Sequence, residues 1–251
     1  MEAPAPSFPQ RLEVVERIAS TNGELLDRLS RGEGLREGDW LIANRQESGR
    51  GRLGRQWQDA SGNFMGSTGV AIRAGDPLPH TLALVAGIAV HDAVAAFLPD
   101  RDGLMLKWPN DLLLRGAKLA GILLERKGDH VIIGIGVNLV SAPDLPDRAT
   151  ISVAASDAQV DRDAFANRLV ASMADEIMRW RANGLADILA RWTARGPVLG
   201  TRVAANPAGE GQLTGTYRGL DPDGALLMRL AGGADRAIHA GEVELLGNGE
   251  D

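Results

Sequence analysis

The densest cluster of ligand-gripping groups in the chain is Gly49-Arg50-Gly51-Arg52-Leu53-Gly54-Arg55, three arginines and three glycines within seven residues. Glycine lets a backbone approach a ligand closely, and guanidinium forks grip phosphate or carboxylate oxygens. The segment lacks the Gly-Lys-Ser/Thr end of a Walker loop. A solvated turn or a nucleic-acid patch uses the same residue types, but the interleaved aromatics of single-strand binders are missing. Four further places carry chemistry. Ser20-Thr21-Asn22 reads as a helix cap, and a cap also offers hydroxyls and N–H groups to a polar head group. Lys107-Trp108-Pro109-Asn110-Asp111 shows a cation, an amide and a carboxylate at a strand end, because Pro109 forces a turn. Lys118 opens the apolar run KLAGILLE, where a lysine is costly unless it is paired or snorkels to water. Asn138 ends a strand containing Gly134 and Gly136, spaced so that a ligand or another backbone can come close.

These cations belong to an acidic chain. Of 251 residues, 27 are Lys or Arg and 33 are Asp or Glu, a formal charge of -6. No global field draws in nucleic acid or an anionic membrane, so any bound anion needs a local cluster. There is no cysteine. That excludes disulfides, thiolate zinc sites, iron–sulfur clusters and thioester relays, and it suits a reducing, cytoplasmic setting. The four histidines, His80, His91, His130 and His239, have no metal-ligand spacing, so no metal site is expected in the protein itself. Neither a G-x-S-x-G elbow nor a G-x-G-x-x-G fingerprint in a strand–helix setting is present.

The elements that must position these groups can be read from periodicity and punctuation. Residues 1–10 hold three prolines and form a loose arm with no signal-peptide character. An extended stretch over 12–18 precedes a helix at about 23–30, started by the capping-box spacing of Thr21 and Glu24. Strands are expected over 40–44 and 64–72, with the arginine loop, 46–55, between them. That loop has only Leu53 as an apolar anchor and is expected to be mobile without ligand. The apolar run 82–98 carries His91 and Asp92 and reads as a buried helix, shorter than a membrane span. Short strands follow at 104–108, 112–114, 118–125 and 131–139, with Arg115-Gly116 as a hairpin turn. Phe165, Leu169, Met173, Ile177 and Trp180 form a helical stripe. Gly184 ends that helix, and a second covers 185–193. Arg195-Gly196-Pro197 marks a boundary, beyond which strands over 202–205, 212–220, 225–230 and 236–245 suggest a small β-barrel.

Taken in order, Ser20-Thr21-Asn22, Gln46 leading into GRGRLGR and Trp57, KWPND, KLAGILLE and GIGVNL resemble the biotin protein ligases, also called biotin–[acetyl-CoA-carboxylase] ligases. The matches cover about residues 15–140, and the rest matches in layout. Each motif is modest alone, but the ordered set is specific. The resemblance implies an α+β fold: an SH2-like mixed-sheet catalytic domain over 1–195 and a small SH3-like β-barrel over 196–251. It implies that biotin and ATP, with Mg²⁺, form biotinyl-5′-AMP, and that biotin then passes to a lysine of a biotin carboxyl carrier domain. Ser20, Thr21, Asn22, Gln46, Gly49, Arg50, Gly51 and Lys118 would line the biotin site. Arg52 would bridge the biotin carboxylate and the α-phosphate. Arg55, Trp57, Asn110, Asp111 and Asn138 would form the ATP site, with Trp57 beside the adenine, and Lys107 would sit over the reacting centre. Arg52, Lys107, Asp111 and Lys118 would carry the catalysis. Only about twenty residues precede Ser20, where many bacterial relatives have a winged helix, so no DNA binding is expected. A homodimer is left open. The alternatives are a lipoate–protein ligase or octanoyltransferase, whose arginine-rich segment before a triple glycine is absent here, and a non-catalytic nucleotide- or RNA-binding module.

Overall fold

The computed structural model describes residues 11–58, 60–207 and 210–246, so the expected arm at 1–10 lies outside the described residues. β1 (Leu12–Ile18) runs parallel to β2 (Trp40–Gln46), which pairs antiparallel with β3 (Phe64–Ala71). β3 then pairs with β7 (His130–Val137), β7 with β6 (Ala117–Lys127), β6 with β5 (Asp111–Leu114) and β5 with β4 (Leu104–Lys107). The result is a mixed seven-stranded sheet of order β1-β2-β3-β7-β6-β5-β4. Every strand of it lies within a residue or two of its expected place.

Strand alternation sorts the side chains onto two faces. Trp40, Ile42, Ile133 and Ile135 point into the large core, whereas Leu41 and Ile132 point the other way, onto Leu25. Leu25 belongs to α1 (Thr21–Ser30), which covers that second face with Leu26 and Leu29. The large core is filled by α2 (Leu82–Ala95) and α3 (Arg162–Thr193). α2 is buried nearly all round, as its unbroken apolar sequence requires. The expected stripe from Phe165 to Trp180 is buried on α3. Gly184 adopts φ 73 and ψ -169, a glycine-only conformation, and breaks α3 where the sequence placed a break.

Two expectations need correction. The helix starts at Thr21 rather than Gly23, and its cap is Ser20, whose hydroxyl accepts from Gly23 N–H. Glu24 does not close a capping box with Thr21. It pairs instead with Arg28 and Arg31, because two guanidinium partners outcompete one backbone N–H. The strand expected over 236–245 is two strands, β11 (Asp235–Ile238) and β12 (Gly241–Leu245), separated by residues 239–240, and β12 opens on Gly241, whose φ of 141 suits glycine alone.

β11 and β12 complete a second, antiparallel sheet with β8 (Arg202–Pro207), β9 (Leu213–Leu220) and β10 (Leu226–Leu230), in the order β11-β10-β9-β8-β12. Its inward residues Val203, Tyr217, Leu226 and Met228 join the same core as α2 and α3. Trp108 Nε1 donates to Gly224 O, and Arg195 O accepts from Leu106 N–H, so the small sheet and its linker are tied to the KWPND strand end. Among the described residues no helix is long and apolar enough to cross a membrane.

Candidate active site

The start of α1 is built as a hydrogen-bonded knot. The first turn of any helix leaves N–H groups without helical partners. Here Gln46 Oε1 takes Thr21 N–H at 2.7 Å and lies 3.1 Å from Thr21 Oγ1, so the last residue of β2 caps the helix beside Ser20. Behind it Ser67 Oγ, on β3 and fully buried, sits 2.7 Å from Thr21 Oγ1 and 2.6 Å from Asn22 Oδ1. Asn22 Nδ2 donates to Glu125 Oε2 at 2.9 Å and reaches Leu123 O at 3.5 Å. The close fit depends on Gly134, since a Cβ there would fall 2.3 Å from Asn22 Oδ1.

The arginine loop lies over β6 and walls a cavity of about 690 Å³ lined by residues 48–56 with Leu123 and Glu125. Its path is fixed by local contacts. Gly51 N–H donates to Arg55 O, Trp57 N–H donates to Gly49 O, and Leu53 takes a φ of 57 with its side chain 73% exposed. Each arginine has its own partner. Arg50 reaches Glu125 at 3.5 Å. Arg52 donates to Asn110 Oδ1 at 3.1 Å and to Gly241 O at 3.3 Å. Arg55 forks onto Glu242, with Nη2 2.8 Å from Oε2. Burial pulls the Arg52 guanidinium below its usual range, against the opposing pull of Asp111 and Glu242.

Next to the loop, the Trp57 indole lies against glycines of β6 and β7. A Cβ on Gly136 would fall 2.4 Å from the ring, and one on Gly121 would fall 3.2 Å from it. Among the described residues, Trp57 Nε1 is buried with no hydrogen-bond partner. Asn138, 2% exposed just past the end of β7, donates Nδ2 to Ile151 O at 3.2 Å, and its Oδ1 has no partner among the described residues.

Three of the candidate charged groups meet where β5 begins. Asp111 is buried and receives Lys118 Nζ on Oδ1 at 2.6 Å and Lys107 Nζ on Oδ2 at 3.4 Å. Two ammonium groups therefore share one carboxylate, leaving a local excess of positive charge. Asn110 Nδ2 anchors the turn on Ile122 O at 2.7 Å, and the Trp108–Pro109 peptide is cis. Lys118 is further fixed by the chain after β7, since its N–H donates to Ala149 O and its own carbonyl accepts from Ile151 N–H.

All of the sequence-derived candidates thus gather on and beside one region of the large sheet, from the α1 start through the arginine loop to the Lys107–Lys118 pair. Sequence reasoning missed Ser67, Glu125, Gly241 and Glu242. Glu125 was legible in principle, because period-two alternation puts it on the face of Gly121 and Leu123. Ser67 stood out only as a polar residue inside a strand otherwise fit for burial. Nothing local marks Gly241 and Glu242, which arrive from the far end of the chain.

Comparison with known proteins fits this arrangement. A model of the Biotin/lipoate A/B protein ligase family matches residues 14–138, and a model of the Biotin protein ligase C terminal domain matches residues 198–246. The chain is 37% identical over 241 residues to the biotin–[acetyl-CoA-carboxylase] ligase of Mycobacterium tuberculosis, covering 93% of this chain and 88% of that one. It belongs to the biotin protein ligase family. The Paracoccus denitrificans biotin–[acetyl-CoA-carboxylase] ligase is also 37% identical, over 92% of this chain and 98% of its own length. Among solved structures, the biotin protein ligase of Aquifex aeolicus in complex with biotin and ATP superimposes with a TM-score of 0.81. It is 26% identical and covers 95% of this chain and 99% of its own. Within the biotin protein ligase family, the mixed sheet with a C-terminal antiparallel sheet is therefore the shared architecture.

Proposed function

We propose that this chain activates biotin with ATP and transfers it to a lysine of a biotin carboxyl carrier domain. The observation that carries the reading is the Lys107–Asp111–Lys118 cluster, an anion-accepting centre next to Gly121 on β6 and close to Arg52, which is hydrogen-bonded to the neighbouring Asn110. A carboxylate is a poor acyl donor. In the first step a biotin carboxylate oxygen attacks the α-phosphorus of ATP, giving biotinyl-5′-AMP and releasing pyrophosphate. Both reactants are anions, so Arg52, Lys107 and Lys118 act by neutralising charge as it builds on the phosphate. In the second step the acceptor amine attacks the carbonyl carbon of the mixed anhydride and AMP leaves. No protein nucleophile is needed.

The residue roles are those the family resemblance implies, and the geometry supports them. Ser20, Thr21 and Gln46, backed by Asn22, offer a mixed set of donors and acceptors that suits the ureido ring, with Gly49, Arg50 and Gly51 closing over it. Trp57 Nε1 and Asn138 Oδ1 are an uncommitted donor and acceptor, and adenine offers partners for both. Arg55 and Asn110 complete the nucleotide side. A free lysine has a pKa near 10.4 and must lose a proton before it attacks. Asp111, already shared by two ammonium groups, orients the amine or accepts its proton. Among the described residues no three His, Cys, Asp or Glu side chains gather as a metal-holding cluster. Mg²⁺ would enter with ATP, held mostly by phosphate oxygens and water. The division into a catalytic part, 1–195, and a C-terminal part, 196–251, is part of the same proposal.

The deciding experiment is mass spectrometry of a biotin-acceptor domain after incubation with the protein, biotin and Mg-ATP. One added biotinyl group on a lysine is expected. Modification with lipoate but not with biotin would assign the chain to the lipoate ligases, and no modification with either would sink the reading.

A further inference from the structure

We propose that Glu125 is a positioning residue for biotin binding, a single carboxylate that sets the α1 side of the pocket and tethers the arginine loop. This rests on the biotin-ligase reading above and goes beyond it, since Glu125 belongs to none of the roles assigned there. Its two oxygens do different things. Oε2 accepts from Asn22 Nδ2 at 2.9 Å, and Oε1 faces Arg50 Nη1 at 3.5 Å.

The first contact reassigns Asn22. That side chain is only 3% exposed, and its amide is committed to the protein at both ends, Oδ1 to Ser67 Oγ and Nδ2 to Glu125 and Leu123 O. An amide held this way cannot turn to a ligand without leaving a buried partner unpaired. Asn22 is therefore a support. It fixes Ser67, and Ser67 in turn abuts the Thr21 hydroxyl. The glycine at position 134 leaves room for this support, because any side chain there would collide with Asn22. The orientation of the amide needs an acceptor beyond Nδ2, and Glu125 supplies it.

The second contact is with the loop. Arg50 is more than half exposed, so the pair contributes little to stability, but it aims Arg50 back across the cavity that Glu125 itself lines. Among the described residues, the hydrogen bond and the ion pair of Glu125 thus both go to the biotin side, to Asn22 and to Arg50. The consequence is selective: loss of Glu125 should weaken biotin binding and spare ATP binding.

The test is steady-state pyrophosphate release by the full chain as biotin and ATP are varied in turn, with thermal melting to verify folding. Glu125→Leu removes both contacts and should raise KM for biotin by about tenfold, leaving kcat and KM for ATP within about twofold. Glu125→Gln keeps an acceptor for Asn22 but not the charge facing Arg50, and should raise KM for biotin by about two- to fivefold. Unchanged biotin KM in folded Glu125→Leu, or a parallel rise in both KM values, would overturn the assignment. If Glu125→Leu does not fold, Glu125→Gln decides alone, and a wild-type biotin KM there overturns it. A wild-type chain that releases no pyrophosphate with biotin would remove the ligase reading and this assignment together, an outcome distinct from altered kinetics in an active enzyme.

Discussion

At the residue scale, the site is a small number of charges held unusually close. Lys118 Nζ lies 2.6 Å from Asp111, and Lys107 approaches the same carboxylate from the other side. A lysine at the start of an apolar strand is thus paired, which resolves the cost that its sequence context raised. Arg52 is half-buried with a neutral amide and a carbonyl as hydrogen-bond partners, so its charge remains available for an incoming anion. Lys118→Ala and Arg52→Ala should each lower pyrophosphate release by on the order of 100-fold while the protein stays folded. Near-wild-type release from either folded variant would contradict the proposed roles. The motif residues were legible because their types are expensive in their places: a lysine in an apolar strand, three arginines among glycines. Ser67 was harder. Its importance comes from facing Asn22 of α1 from β3, and a separation of 45 positions along the chain hides that juxtaposition.

At the element scale, the arginine loop and the α2–α3 pair behave differently. The loop was expected to gain little by packing, and Leu53 is indeed its exposed apolar residue. Yet its arginines reach Glu125 on β6, Asn110 beside β5 and Glu242 on β12, three anchors that sequence could not supply. Hydrogen exchange over 46–55 should therefore show intermediate protection in the free protein and a marked increase with biotinyl-AMP. Equal, strong protection in both states would mean that no ordering accompanies binding. The helix pair is joined by Asp92 on α2, which receives the Arg195 guanidinium at 2.9 and 3.0 Å just past the end of α3. Burial pushes the Asp92 carboxyl upward, but hydrogen bonds from His91 and Arg195 outweigh it and hold the pKa at about 2. A carboxyl depressed in the folded state stabilises above its unfolded pKa, and that contribution is lost as pH falls through about 4 toward 2. Screened by solvent at a half-buried site, the amount is on the order of 1 kcal/mol, and Asp92→Asn should flatten the acid side of a melting-temperature profile over that window. An unchanged profile would show that the pair contributes nothing. The helices themselves were legible from their stripes and from Gly184. The cap was misassigned by one residue because Ser20 and Thr21 are both good caps, and only Gln46, brought in by β2, makes Thr21 the first helical residue.

At the scale of the whole molecule, the C-terminal sheet is part of the site's frame. Its β12 start reaches Arg52 through Gly241 O and Arg55 through Glu242, whereas the Thr21–Gln46–Ser67 knot is closed by residues of the first half of the chain alone. Glu242→Gln should accordingly raise KM for ATP several-fold and leave biotin affinity unchanged, as measured by isothermal titration with biotin alone. A loss of biotin affinity would reverse this assignment of the two ends. Point substitution is the right tool here. Cutting the chain at 195 would bare the core face that Tyr217, Leu226 and Met228 cover, and an apolar surface so exposed invites aggregation. The second sheet begins at Arg202, a few residues past the Gly196-Pro197 punctuation, and that punctuation and the loss of helical period are local signals. That its last strand returns to the arginine loop depends on how two sheets share one core, and no local pattern encodes that.

α2 has a consequence for how the chain is made. Eleven of its fourteen residues are buried, and its cover comes from the sheet on one side and from α3 on the other. During synthesis the helix emerges at residue 95, but α3 is not complete until residue 193. At ribosomal speeds of about 5–20 residues per second, α2 waits roughly 5–20 s with a full apolar face uncovered. The nascent chain is thus a client for whatever holds sticky helices at the tunnel exit, and the second half of the protein serves the first as its own late-arriving shield.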